Sequence, residues 1–128
     1  VQMGSRFVCS EEASAHLAFK QHVVDAGEGA TTLTLKELAP VRLMHNKFFL
    51  DVKDAYAKGA SVEDLKMLLG RARAKRGMFE GDLEEGELEI GQVSAAIDRI
   101  MPAAAIVDEV MAEYRKELEA LKELPAFA

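Results

Sequence analysis

The chain has 128 residues, a formal net charge of -6, a single cysteine and no tryptophan. Its length fits one domain, and its 49% of hydrophobic and 30% of charged residues are typical of a globular protein. The negative charge argues against nucleic acid or an anionic membrane as a partner, and no apolar run approaches the roughly 20 residues of a membrane span. The lone Cys9 excludes an internal disulfide and suits a reducing compartment, so we expect a cytoplasmic location.

The N-terminal part predicts a strand, a helix and a second strand. Residues 1–8 (VQMGSRFV) are typical of a short buried strand broken at Gly4, and Ser10 is a suitable N-cap for a helix that ends near Ala26. The alternating β-branched residues of 31–35 predict a second short strand. Because two isolated strands do not form a stable sheet, the first strand needs neighbours from elsewhere. We therefore expect the chain to be a piece of a larger protein.

The remainder of the chain predicts helices. They cover about 43–58, a stretch capped by Ser61 with Asp64 three residues later, about 92–100, and a last helix that begins at Pro102. We expect a mostly α-helical chain with one or two short strands. The last helix must pack on another surface, because it carries an apolar stripe of Ile106, Val107, Val110, Met111, Tyr114, Leu118 and Leu121.

Three histidines and one cysteine are candidates for chemistry. His16 and Lys20 lie one turn apart in the apolar arc of the first helix, where they contact either neighbouring groups or a ligand. His22 lies on the polar face, and His45 lies among aromatic residues. We predict no metal site, because the H-x-x-x-H spacing and the D-x-D-x-D-G calcium pattern are both absent. Cys9 is more readily explained as a small buried residue than as a nucleophile.

Two further segments each allow two interpretations. Residues 71–77 (RARAKRG) place four positive charges near a helix C-terminus. They form either a solvated helix end or a docking patch for an acidic partner or a nucleotide phosphate. Residues 77–91 combine four glycines with many acids and predict a loop. Such a loop passes close either to a flat ligand, for example a flavin ring, or to another loop.

The turn at Gly4 and Ser5 is a candidate anion site. Gly4 allows a phosphate to approach the backbone closely, and the Ser5 hydroxyl and nearby N–H groups can donate hydrogen bonds to it. An ordinary strand-to-helix turn uses the same residue types, so these two residues alone leave both interpretations open.

The segment VQMGSRFV resembles the QMGTRF phosphate-binding segment of nitronate monooxygenases and of the flavoprotein enoyl-acyl-carrier-protein reductase II. The resemblance continues through SEEASAH and TLTLKELAPVRL, is most specific at residues 69–92 (LGRARAKRGMFEGDLEEGELEIGQ), and covers essentially the whole chain. It implies an α/β protein of the (β/α)8 TIM-barrel class, of which this chain is the C-terminal portion. Residues 1–26 would be the last barrel strand, the phosphate-binding turn and the following helix. Residues 27–128 would be a helical region with a Gly/acid-rich loop at 77–91.

The resemblance implies FMN as the cofactor and assigns residues to it. In the family, the Gln-Met-Gly-Thr segment helps to hold the FMN phosphate, and Ser5 keeps the hydroxyl of the usual threonine. We expect Gly91 and Gln92 to lie near the flavin. The phosphate-binding role transfers to Gln2, Met3, Gly4 and Ser5.

Two enzymatic activities and one non-enzymatic role follow from these observations. In the reductase, NAD(P)H reduces FMN, which reduces a 2-enoyl thioester carried by acyl carrier protein, and a homodimer is a further expectation. The alternative enzyme is a nitronate monooxygenase that oxidises alkyl nitronates with oxygen. The third alternative is a helical interaction module that uses residues 71–76. The family histidine lies in an AGGH segment that His16, His22 and His45 do not match, so we assign no catalytic residue and expect this chain alone to be inactive.

Overall fold

The computed structural model describes residues 1–124, and residues 125–128, the end of the predicted C-terminal region, lie outside the described part. Its elements confirm the expectation of a largely helical chain with one or two short strands. They are α1 (Ser5–Val8), α2 (Leu17–Asp25), β1 (Thr31–Thr34), β2 (Val41–Met44), α3 (Lys47–Ala57), α4 (Val62–Leu69), a π-helical turn (Lys75–Phe79), a 3-10 helix (Gln92–Ala96) and α5 (Ala103–Lys122).

The first element is a helical turn where the sequence predicts a strand. The carbonyl of Gly4 accepts hydrogen bonds from the amides of Phe7 (3.0 Å) and Val8 (3.2 Å). A strand is stable only when a neighbouring strand satisfies its backbone groups, and within residues 1–124 no strand pairs with residues 1–8. The strand prediction for residues 1–8 is therefore wrong, and local hydrogen bonds close α1 instead.

Helix α2 begins later than predicted because a different residue caps it. The Nδ1 atom of His16 accepts from the amide of Ala18 (3.1 Å), which makes His16 the N-cap. The hydroxyl of Ser10 instead accepts from the amide of Ala13 (3.2 Å) and holds a local turn that competes with the helix. The helix ends at Asp25, close to the predicted end.

Strands β1 and β2 form an antiparallel hairpin in which Thr31 faces Met44. Strand β1 confirms the predicted extended segment at 31–35. Strand β2 occupies the beginning of the helix predicted for 43–58, so that prediction is wrong at its N-terminal end. Helix α3 begins only after Asn46, whose side chain accepts from the amide of Phe49 (2.9 Å) and fixes the boundary.

Residues 86–91, here called the central segment, run alongside β2. The amide of Met44 donates to the carbonyl of Leu88 (2.9 Å), and the amide of Ile90 donates to the carbonyl of Arg42 (3.3 Å). The side chains of Leu88 and Ile90 are buried. The Gly/acid-rich stretch predicted as a loop thus ends in an extended segment that contributes to the core, because its apolar residues alternate with acids.

Two apolar clusters form the core, one on each face of β2. Met44 belongs to the first cluster and Leu43 to the second, as expected for successive residues of a strand. The first cluster consists of Cys9, Phe19, Val23, Met44, Leu88, Ile90 and Ile97. The second consists of Leu35, Leu43, Phe48, Phe49, Val52 and Leu65.

The remaining helices agree with the sequence to different degrees. The predicted capping box at Ser61 and Asp64 is present, with each side chain bound to the backbone of the other. The helix predicted for 92–100 is a shorter 3-10 helix. Helix α5 follows Pro102 as expected, but of its apolar stripe only Ile106 is fully buried. Among residues 1–124, no helix is long and apolar enough to cross a membrane.

A close crossing of two glycines positions the central segment. A Cβ atom on Gly86 would overlap the Cα of Gly77 and the carbonyl oxygen of Asp82. We expect Gly86→Ala to lower the free energy of unfolding by about 1–3 kcal/mol, because the backbones must separate. Urea unfolding measures this change. Gly27→Ala is the matched control, since its Cβ would meet no atom within 4 Å. Equal unfolding midpoints for the two variants would contradict the crossing.

Burial raises the pKa of the Glu87 carboxyl from its ordinary 4.5 to about 6; the charge of Glu89 adds to the increase, and Arg73 opposes it. Because the folded chain holds this proton more tightly than the unfolded chain, the free energy of unfolding falls as pH rises from about 4.5 to about 6. The ionised carboxyl therefore lowers the free energy of unfolding by about 2 kcal/mol at neutral pH, and we expect Glu87→Gln to remove this loss. Urea unfolding across this pH range measures the change, and Glu84→Gln, at an exposed glutamate, is the control. An unchanged pH dependence in Glu87→Gln would refute it.

Candidate functional site

The structure brings two parts of the predicted cofactor site into contact. The Ser5 hydroxyl accepts a hydrogen bond from the amide of Gly91 at 2.9 Å, across 86 residues of sequence. A Cβ on Gly91 would approach the Ser5 hydroxyl oxygen to 2.6 Å, so a side chain at this position would displace the hydroxyl. An open groove of about 420 Å³, here called the turn groove, is lined by Gly4, Ser5, Val8, Pro40, Val41, Arg42, Glu89, Ile90 and Gly91.

The other predicted site residues lie at the edges of this arrangement. Gln2 and Met3 precede α1 and are exposed. Gln92 begins the 3-10 helix and lies in a neighbouring cavity of about 220 Å³, here called the side cavity. The side cavity is bounded by residues 27–31, Arg42 and residues 92–96. Arg42 therefore lies where the two spaces adjoin.

The turn carries hydrogen-bond donors of the kind that a phosphate site uses. The Ser5 oxygen accepts from Gly91, so its own hydrogen remains free to be donated. The hydrogen bonds to the Gly4 carbonyl start from Phe7 and Val8, which leaves the amide of Ser5 outside these helical bonds. A Cβ on Gly4 would meet no atom within 4 Å, so a ligand can approach this backbone. These residues fit a phosphate group.

Two cations close to the turn in sequence are bound elsewhere. The guanidinium of Arg6 donates to the carbonyl of Arg99 (3.0 Å) and lies 3.6 Å from the Glu109 carboxylate, which ties α1 to α5. The ammonium of Lys20 is buried and donates to the carbonyls of Ser10 (2.6 Å) and Glu11 (3.2 Å). Of the two interpretations that the sequence allowed for Lys20, the structure favours contact with neighbouring groups over contact with a ligand.

His16, His45 and Cys9 occupy structural positions. His16 is exposed and caps α2, and the ring of His45 stacks on Phe49 at 4.4 Å. Burial raises the pKa of the Cys9 thiol, which favours its neutral form. Among the residues that the structure describes, no cluster of three or more His, Cys, Asp or Glu side chains could hold a metal ion.

Arg73 anchors the loop that precedes the central segment. Its guanidinium donates to the carbonyls of Leu68 (2.9 Å), Leu69 (2.8 Å) and Glu85 (2.6 Å), and lies 4.4 Å from the centre of the Phe48 ring. These contacts favour a structural role for Arg73 over the docking interpretation. At the end of α4, the guanidinium donates to carbonyls in the place of backbone amides.

Two neighbouring cations are paired with acids. Arg76 lies 2.6 Å from the Asp82 carboxylate, and Lys75 lies 3.3 Å from the Glu80 carboxylate. The basic segment is therefore largely neutralised by the acidic stretch that follows it.

We expect Arg73→Lys to lower the free energy of unfolding by about 1–3 kcal/mol, because an ammonium cannot reach three carbonyls in the plane of a guanidinium. Thermal unfolding is the measurement. Arg71→Lys is the matched control, because Arg71 is exposed in the same segment. An unchanged melting temperature for Arg73→Lys would show that the guanidinium fork is dispensable.

Arg42 is the groove residue that the sequence analysis missed. It is a single cation within the apolar run of β2, next to the buried Leu43. Its position in the turn groove depends on the pairing of β2 with the central segment, which local patterns do not reveal. The only sequence signal was a charge in a segment otherwise suited to the core.

Comparisons with known proteins assign the chain to a family. The family profile described as nitronate monooxygenase matches residues 1–113. FabK from Thermotoga maritima is 32% identical with a TM-score of 0.82, and the match covers 95% of this chain and 39% of that chain. Its M276A mutant is 29% identical with a TM-score of 0.77, at 95% and 36% coverage. Both are TIM barrels, which confirms the predicted fold class, and this chain spans well under half their length. The chain belongs to the nitronate monooxygenase family.

Proposed function

We propose that the chain is part of an FMN-dependent oxidoreductase that reduces 2-enoyl-acyl-carrier-protein with NAD(P)H. The observation that carries this proposal is the contact between Ser5 and Gly91, which joins the turn to the central segment at one groove. Membership of the family and the likeness to FabK support the class of enzyme. The fit of Gly4 and Ser5 to a phosphate group supports the cofactor.

Each proposed cofactor residue has a defined task. The Ser5 hydroxyl and amide would donate hydrogen bonds to the phosphate, Gly4 would leave room for it, and the Gly91 amide orients the hydroxyl. Gln2 and Met3 complete the turn. Gly91 and Gln92 would lie near the flavin. When bound, FMN supplies hydride transfer between NAD(P)H and the β-carbon of the enoyl thioester.

The proton donor of the reaction is expected from residues beyond this chain. His16 caps α2, and His45 stacks on Phe49 and lies 2.7 Å from the Thr32 hydroxyl, so both have structural contacts. We therefore keep the prediction that this chain alone is inactive. The homodimer, the carrier-protein partner and the cytoplasmic location also remain predictions.

Nitronate oxidation is the second candidate activity, and the description of the family profile favours it. It would use the same phosphate turn, because both activities need the same flavin. The interaction-module alternative loses support, because Arg73, Lys75 and Arg76 make contacts within the chain.

Turnover by the intact protein separates the two activities. We expect NADH or NADPH oxidation with a crotonyl thioester of acyl carrier protein, and little oxygen consumption with an alkyl nitronate. The same protein stripped of flavin is the control and should catalyse neither reaction until FMN is restored. Turnover of the nitronate alone would contradict the reductase, and full activity without flavin would contradict both.

A further inference from the structure

Arg42 lines the same groove as the proposed phosphate turn and has unused hydrogen-bond donors. Its carbonyl accepts from the amide of Ile90, the residue before Gly91, so a short backbone path joins it to Ser5. Its Nη1 atom donates to the hydroxyl (3.2 Å) and carbonyl (3.4 Å) of Thr31. A guanidinium has five N–H groups, so its other donors can bind a ligand.

Arg42 forms no ion pair among the described residues. No carboxylate there lies within 4.0 Å of its guanidinium, whereas Arg6 and Arg76 are both paired with acids. It is the one cation among the residues that line the turn groove, and Glu89 is the one acid there. A phosphate dianion in this groove would meet neutral donors from the turn and repulsion from Glu89. It therefore requires a nearby positive charge.

We propose that Arg42 binds the flavin phosphate and supplies the positive charge that the Gly4–Ser5 turn lacks. This inference rests on the proposed function, because it takes the turn as the phosphate site. The contacts with Thr31 hold one edge of the guanidinium and leave its remaining donors available to a phosphate. Arg42 thus selects flavins that carry a phosphate over flavins that lack one.

Riboflavin, which lacks the phosphate, distinguishes binding from a structural effect. Dissociation constants for FMN and riboflavin are measured by flavin fluorescence on the flavin-free intact protein. We expect Arg42→Gln to weaken FMN binding by about 10- to 100-fold and riboflavin binding by less than about twofold. Arg42→Lys should restore part of the preference. Exposed Arg71→Gln is the matched control, because Arg71 lines neither the turn groove nor the side cavity.

The outcomes separate this inference from the proposed function. Equal weakening of FMN and riboflavin by Arg42→Gln would assign Arg42 a structural role and overturn the inference. An unchanged preference for FMN in Arg42→Gln would also overturn the inference. If Ser5→Ala then lost that preference, the phosphate turn of the proposed function would still be supported. If the unaltered protein bound FMN no more tightly than riboflavin, this result would contradict both the phosphate site and the role of Arg42.

Discussion

The close crossing of Gly77 and Gly86 is the contact on which the arrangement of the chain depends. Because neither residue has a Cβ atom, the backbone of the π-helical turn lies directly against the start of the central segment. Asn46 and Arg73 hold the same loop through its carbonyls, at 2.8 Å to Gly86 and 2.6 Å to Glu85. After this crossing, the central segment runs beside β2, and its apolar side chains pack in the core.

The candidate site is a consequence of that path. The central segment reaches the Ser5 hydroxyl at Gly91, and its pairing with β2 places Arg42 at the same groove. A neutral turn, a glycine and a cation thus come from three separate parts of the sequence. None of them indicates a phosphate site by itself, and together they provide hydrogen-bond donors, space and charge.

Predictions from sequence succeeded where the signal was local. The β-branched run of β1 and the capping box at Ser61 both depend on residues within a few positions of one another. The prediction failed at residues 1–8, where residues 5–8 form a helical turn and not part of a strand, and at residues 43–44, which end strand β2 and pair with β1. The roles of Arg73 and Arg42 depend on segments distant in sequence, so the pattern of charges could not reveal them. The resemblance located the Gly4–Ser5 turn, but only the fold showed that Gly91 contacts it.

A crystal structure of the intact protein with bound FMN is the most direct measurement of the central claim. The account predicts the flavin phosphate in the turn groove, within hydrogen-bonding distance of the amide or hydroxyl of Ser5, while that hydroxyl still accepts from Gly91. A phosphate bound away from residues 2–5, or a central segment that does not reach Ser5, would contradict it.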